Sequence, residues 1–418
     1  MKVDMQSLDF FDPATLSEPF AAFDVARQHA PVYKVPGQDM TFVLSYDLVK
    51  EALMQPLLFS SKNDEAILGT SIHVPECAEI YKKGWPQLPT LLTNDPPEHT
   101  RFRKLVNRAF TAPRVDQMEE HIVGVVDGII DSFIDDGQID YVKQFAVPLP
   151  CSIIAQQLGI DEADIPKVKA WSDAFIELIG SDLSVEEQVA RANMVVEFQH
   201  YMMERLLERK KNPRDDMLTA LVQATADDES PLSDAEILCV AQQILVAGNA
   251  TTTHMLAGGL LTLMQNPDQM AKVRADESLI PALVEELVRL QSPTKGMWRK
   301  AVEDTELNGV AIPKDSMLLL MFSAANRDPK YFPNPNALDV ERKYEVPHLA
   351  FSRGVHTCIG MMLSRKEQVC AFRQVLRRMD NIRLAEGAET PGYISSLMFR
   401  GLESLPIQFD KKVGASAA

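Results

Sequence analysis

Apolar residues recur at helical spacing along most of this chain, and the stretches that break the pattern are short. Residues 19–29 and 46–55 read as amphipathic helices. Between them, residues 32–44 carry Val, Tyr and Phe around Pro36-Gly37, the pattern of a strand, a turn and a second strand. Periodicity fades over residues 60–92 while Gly and Pro recur, which predicts a long loop with short helical pieces. Asn94-Asp95-Pro96-Pro97-Glu98 has the composition of a helix start, with Asp95 as the cap and proline in the first turn. Pro113 opens a helix expected to reach Gly137, and residues 138–142 suit an edge strand.

Helical spacing continues over 147–158, 165–179 and 185–211, with a polar break at 212–216. Ser233 caps a stretch that runs to about residue 265 and is apolar on nearly every face. That marks a helix crossing the middle of a large domain. Two further helices open at Asn266-Pro267 and Ile280-Pro281. Short strands are expected over 298–312 about the turn Asn308-Gly309, then an irregular proline-rich stretch over 326–348. A helix over 361–379 and short strands after Ile382 complete the chain. No repeat or linker-like boundary interrupts it. Residues 1–418 are therefore expected to form a single domain, mainly α with small β-sheets, with 1–18 and 411–418 as loosely ordered tails.

Charge and cysteine usage narrow the function. The net charge of −17, with no basic tail, argues against nonspecific nucleic-acid binding. The five cysteines are scattered without paired metal spacing, which suits a reducing compartment rather than a disulfide framework. Residues 1–12 lack a charged-then-apolar signal, and no apolar run is long enough to span a bilayer. The expectation is a cytoplasmic protein without a membrane anchor.

One stretch stands apart, residues 351–360, Phe-Ser-Arg-Gly-Val-His-Thr-Cys-Ile-Gly. Cys358 stands between Gly354 and Gly360, just ahead of a predicted helix. Backbone N–H groups and the dipole at a helix start stabilise a thiolate, and glycine lets the backbone approach a flat cofactor closely. The stretch resembles the haem-binding loop of the cytochrome P450 family, Phe-x-x-Gly-x-(Arg or His)-x-Cys-x-Gly, at every fixed position.

The resemblance extends over most of the chain and implies roles for further residues. Cys358 would ligate the iron of haem b, with Phe351 and Gly360 framing the loop. Glu286 and Arg289 match the family's E-x-x-R pair, and Arg342 matches the arginine that completes an ion network under the haem loop. His99 and Arg103, one helical turn apart, match a propionate-binding pair, joined by Arg299 and His356. Ala247-Gly248-Asn249-Ala250-Thr251 matches the central-helix segment that activates oxygen. Thr251 is its alcohol, but Ala250 stands where the family has an acid, so water beside Asn249 or a substrate hydroxyl would have to supply protons. The pocket would be lined by Leu92, Ala247, Thr294, Met297 and Leu397.

These matches imply a monooxygenase that inserts one oxygen atom from O2 into a hydrophobic small molecule, terpenoid, steroid or fatty-acid-like. Electrons would come from NAD(P)H through a ferredoxin reductase and a ferredoxin, and the enzyme is expected to be a monomer. Arg101, Lys104, Arg108, Arg353, Arg365 and Lys366 offer a basic face on an acidic protein for that partner. The Ala-Gly-Asn-Ala-Thr segment also resembles the nitric oxide reductase branch, which takes hydride directly from NAD(P)H. A haem-thiolate ligand sensor is a third reading, without a visible signalling segment to support it.

Overall fold

The computed structural model describes residues 8–63, 68–180, 183–226 and 229–412. Local chemistry accounts for many of the element ends. Asp12 caps the short helix Pro13–Ser17 by accepting from Thr15 N at 3.0 Å. Ser184 and Glu187 form a reciprocal capping box at the start of Val185–Lys211, and Ser233 and Glu236 make the same pair of contacts before Asp234–Met264. Asn308 and Gly309 both take positive φ, 52° and 76°, as a tight two-residue hairpin requires.

The chain groups into two compact units, where the sequence suggested one domain without a linker. The first comprises Met1–Ser60, Met118–Leu149 and Thr251–Ala418, the second Ser61–Gln117 and Pro150–Ala250. The boundary falls within the central helix Asp234–Met264, between Ala250 and Thr251.

All the named strands lie in the first unit: β1 (Val32–Lys34), β2 (Met40–Val43), β3 (Phe59–Ser60), β4 (Gln138–Asp140), β5 (Met297–Ala301), β6 (Thr305–Leu307), β7 (Val310–Ile312), β8 (Met317–Leu320), β9 (Met379–Leu384) and β10 (Pro406–Lys411). They form a five-stranded sheet in the order β1-β2-β8-β5-β3, a three-stranded sheet β4-β10-β9 and the hairpin β6-β7. Only the β2–β8 pairing in the large sheet is parallel. β8 escaped the sequence reading because Met-Leu-Leu-Leu shows no alternation. It sits inside the sheet, with Leu318, Leu319 and Leu320 all buried. The sheet packs an apolar core on each side, one around Phe10, Phe23 and Phe42, the other around Tyr46, Phe59 and Phe332.

In the same unit the central helix runs close against its neighbours because two glycines allow it. A Cβ on Gly259 would lie 2.9 Å from Phe372, and one on Gly258 would lie 2.5 Å from Gln291. The helices Ile280–Gln291 and Met361–Arg378 are thereby drawn against it. The second unit is built of helices around Trp171, Phe175 and Phe198, with Cys77, Ile80, Ala192 and Val196 as a smaller cluster.

Three expectations need correction. Asp95 does not cap the helix, which starts at Glu98; its carboxylate instead accepts from Ser61 N at 2.8 Å. The stretch from Pro113 to Gly137 is two helices, Ala112–Gln117 and Glu119–Asp131. Within the expected loose tails, Pro13–Ser17 is helical and Lys411 pairs with Met379, whereas residues 1–7 and 413–418 lie outside the described residues.

Candidate active site

In the first unit, residues 351–360 fold as a tight loop. Cys358 N donates to Phe351 O at 2.8 Å, and Thr357 Oγ1 donates to Gly354 O at 2.8 Å. Gly354 has φ +71°, and a Cβ there would meet Leu53 O at 2.9 Å, so only glycine fits. His356 is half-buried in the short turn Gly354–His356. Gly360 is the N-cap of Met361–Arg378, which places Cys358 at the positive end of that helix. Cys358 is the exposed cysteine; the other four are buried. An exposed sulfur in a glycine-framed loop at a helix start fits a thiolate that ligates haem.

Beside this loop the charged groups are fully engaged. Arg289 Nε and Nη2 donate to the two oxygens of Glu286 at 2.8 and 2.7 Å, and Arg342 Nε adds 2.8 Å. Tyr344, which the sequence did not single out, donates its hydroxyl to Glu286 at 2.7 Å. Arg289 also reaches the carbonyls of Asn326 and Pro335. Glu286 and Arg289 are wholly buried. Burial opposes ionisation of Glu286, but the bonds from Arg289, Tyr344 and Arg342 outweigh it and hold the carboxyl below its ordinary range. Its neighbour Glu285 accepts from Arg365 at 2.5 and 2.8 Å and contacts His348 at 3.2 Å. Against the opposing effect of burial, these partners pull it down to about 2.

Arg299 is buried on β5, with Nη1 donating to Trp298 O at 2.7 Å. Thr294 bridges to Phe399, and Met297 is half-buried against the Tyr46 cluster. Leu397 shares a small pocket with Phe10, Leu16, Pro19, Phe23 and Lys295. Lys295 is buried and donates to Ser396 O at 2.6 Å and to Leu16 O, and burial pushes its amine down to about 7. Thr251 is half-buried, and Thr253, two residues on, donates to Ala146 O at 3.1 Å.

In the second unit, His99 is buried and Arg103 half-buried on Glu98–Val106. On the central helix Ala247 is exposed, while Gly248 and Ala250 are half-buried. Asn249 is buried, and its Oδ1 accepts from the Cys151 thiol at 3.2 Å. That contact ties the amide oxygen to the neighbouring helix Pro148–Gln157. Leu92 is 40% exposed, and its N–H donates to Gln243 Oε1 at 3.1 Å. The expected basic face is largely neutralised. Arg101 pairs with Glu236 and Lys104 with Glu229 in this unit; in the first, Arg365 pairs with Glu285 and Lys366 with Glu119.

Among the described residues, no group of three or more His, Cys, Asp or Glu side chains is placed to hold a metal ion. None of their helices is long and apolar enough to cross a membrane.

The sequence profile of the family described as Cytochrome P450 matches residues 168–388. The chain is 36% identical over 387 residues to 6-deoxyerythronolide B hydroxylase of Saccharopolyspora erythraea, covering 92% of this chain and 94% of that protein. It is 32% identical to the steroid C26-monooxygenase of Mycobacterium tuberculosis, covering 93% of each chain. In three dimensions it is similar to cytochrome P450 CYP109Q5 from Chondromyces apiculatus, with a TM-score of 0.84, 30% identity and coverage of 97% and 98%. The chain belongs to the cytochrome P450 family. It is a monooxygenase of that family, whose members use haem and O2.

Proposed function

We propose that this enzyme hydroxylates a hydrophobic small molecule, with Cys358 as the thiolate ligand of haem b. The observation that carries the assignment is an exposed Cys358 in a glycine-framed loop at a helix start, in a chain whose other cysteines are buried. His99, Arg103, Arg299 and His356 are assigned to the propionates, where guanidinium and imidazole donors offset carboxylate charge. Phe351, Gly360, Ala247 and Gly248 are assigned to the faces of the macrocycle, their small or flat side chains leaving room for it. Glu286, Arg289 and Arg342 hold the chain beneath the loop in one conformation. When bound, haem supplies oxygen activation, which a thiolate ligand favours by donating electron density.

Thr251 Oγ1 is the hydroxyl assigned to pass protons. Ala250 has no group to supply it, and Asn249 Oδ1 is engaged by Cys151. The proton therefore reaches Thr251 from water or from a hydroxyl of the substrate itself. Leu92, Thr294, Met297 and Leu397 are assigned to the substrate. The names of the relatives, which act on 6-deoxyerythronolide B and on steroids, support a hydrophobic substrate. Electrons are assigned to NAD(P)H through a ferredoxin reductase and a ferredoxin. This rests on the monooxygenase relatives, because four of the six residues of the basic face are ion-paired.

Replacing Cys358 by His tests the ligand. The reduced, carbon monoxide-bound wild type is expected to absorb at the long wavelength of thiolate ligation, and the variant to lose that band while retaining haem. An unchanged band would place the ligand elsewhere. The absent acid at Ala250 favours one other reading, nitric oxide reduction by direct hydride transfer. Rapid NAD(P)H oxidation by nitric oxide in stopped flow, without a protein partner, would establish it.

A further inference from the structure

Within the second unit, the loop ahead of Glu98–Val106 is stitched to the central helix. Gln87 Nε2 donates to Gln242 Oε1 at 2.9 Å, Leu88 N to Cys239 Sγ at 3.3 Å, and Leu92 N to Gln243 Oε1 at 3.1 Å. Asn94 Nδ2 closes the loop on Pro89 O at 3.3 Å, so Thr90 and Thr93 lie on one turn of it. Thr90 is wholly buried and Thr93 is 5% exposed. Among the described residues, neither hydroxyl has a hydrogen-bond partner, and neither does the buried Nε2 of Gln243. A buried polar atom left unpaired is destabilising, and three on one loop turn and the helix turn bonded to it call for an explanation.

The apolar residues beside these atoms point to one. Leu92 lies between the two threonines in sequence and is exposed. Ala247, one helical turn along from Gln243, is exposed in the middle of a helix that is otherwise mostly buried. Open space thus adjoins the apolar residues, while the polar atoms beside them are shut off from bulk water. The Gln243 amide is oriented by Leu92, its oxygen taken and its Nε2 left to donate. The threonine hydroxyls can donate or accept. None of the three carries charge, so a carboxylate placed here would be buried without a counterion from them.

We infer that Gln243, Thr90 and Thr93 form a recognition patch for a neutral oxygen on the substrate. The substrate is then an apolar molecule bearing a ketone, ester carbonyl or hydroxyl, and its hydrocarbon part meets Leu92 and Ala247. This rests on the monooxygenase reading and narrows it, favouring oxygenated neutral molecules over free fatty acids. Gln243 sets specificity; the chemistry stays with the residues assigned above.

The test uses the haem-loaded protein and matched probes in equilibrium dialysis: testosterone against androstane, cyclododecanone against cyclododecane, and dodecanoic acid. The ketones should bind about tenfold or more tightly than their hydrocarbons, since an oxygen pairs groups that are otherwise unsatisfied. Thr93→Val should shrink that ratio severalfold and leave hydrocarbon binding unchanged; Gln243→Leu, which also removes the acceptor of the Leu92 N–H, should shrink the ratio as well. The carbon monoxide spectrum and melting temperature of each variant show that it is folded and loaded. Equal ratios in the wild type and both variants would overturn the patch. So would failure of both ketones to bind, or an acid that binds as tightly as the ketones and ignores the variants. With the thiolate band present, such results count against the patch alone; a wild type without that band brings down the haem-thiolate reading with it.

Discussion

Two polar regions of this protein are built on opposite terms. Around Glu286 in the first unit, two arginines, a tyrosine and the Asp339 N–H meet a wholly buried carboxylate, and both of its oxygens are bonded. Around Gln243 in the second, three buried polar atoms lack partners among the described residues. A buried charge is tolerated in the folded chain only when its partners are supplied by the same chain. Neutral hydroxyls and an amide cost less to leave unpaired, so they can wait for a ligand. The ion network is complete in the chain alone, and on the proposed reading recognition is left for the substrate to complete.

The largest effect should come from breaking the first region. Glu286→Ala leaves Arg289 and Arg342 buried without their carboxylate and should destabilise the protein by about 3–5 kcal/mol. Denaturant unfolding and haem content measure it. A loss near zero would mean that the network is ornamental.

Glu367 is the exception on the scaffold side and sharpens the contrast. It is buried on the helix after Cys358, its Oε2 has no partner among the described residues, and burial pushes its carboxyl from 4.5 up to about 8. Between those values the folded state holds a proton that the unfolded state has released, so stability contributed here falls as pH rises from about 4.5 to 8. Glu285 has the opposite sign. Its carboxyl is depressed to about 2, so its contribution is present above 4.5 and is lost as pH falls toward 2. Melting temperatures across pH should show Glu367→Gln removing the first slope and Glu285→Gln the second. If Glu367→Gln leaves the slope between about 4.5 and 8 intact, the carboxyl is not held neutral by burial.

The smallest effect belongs to the second region. Thr93→Val removes an unpartnered hydroxyl while keeping the shape of the side chain. It should leave the substrate-free protein as stable as before or raise its melting temperature by about 1 °C. A clear destabilisation would show that the hydroxyl already has a partner, and the contrast between the regions would fail.

Much of the architecture was legible because it is local. The helices over 185–211 and 234–264 announce themselves through capping residues and long apolar patterns, and Asn308-Gly309 demands its hairpin. The strands β3 and β8 were not legible. A two-residue strand has no period, and a strand buried within a sheet has no alternation. Asp95 looked like a cap because its neighbours are helix-starting residues, yet the Ser61 N–H that it serves is distant in sequence.

For the site, the sequence by itself marked the candidate ligand loop and the E-x-x-R pair. Both are patterns of residue types at short spacings: a cysteine two residues before a glycine, a carboxylate three before a guanidinium. Only the tertiary structure decided which side chains are already engaged. It gave Tyr344 to Glu286, took Asn249 for Cys151, and neutralised four of the six basic residues expected to face a partner. It also left Gln243 Nε2 and the Thr90 and Thr93 hydroxyls without partners among the described residues. Spacing along a chain fixes what one turn of helix or one tight loop can present. Whether a polar atom finds a partner depends on residues tens to hundreds of positions away, and only the folded chain brings those together.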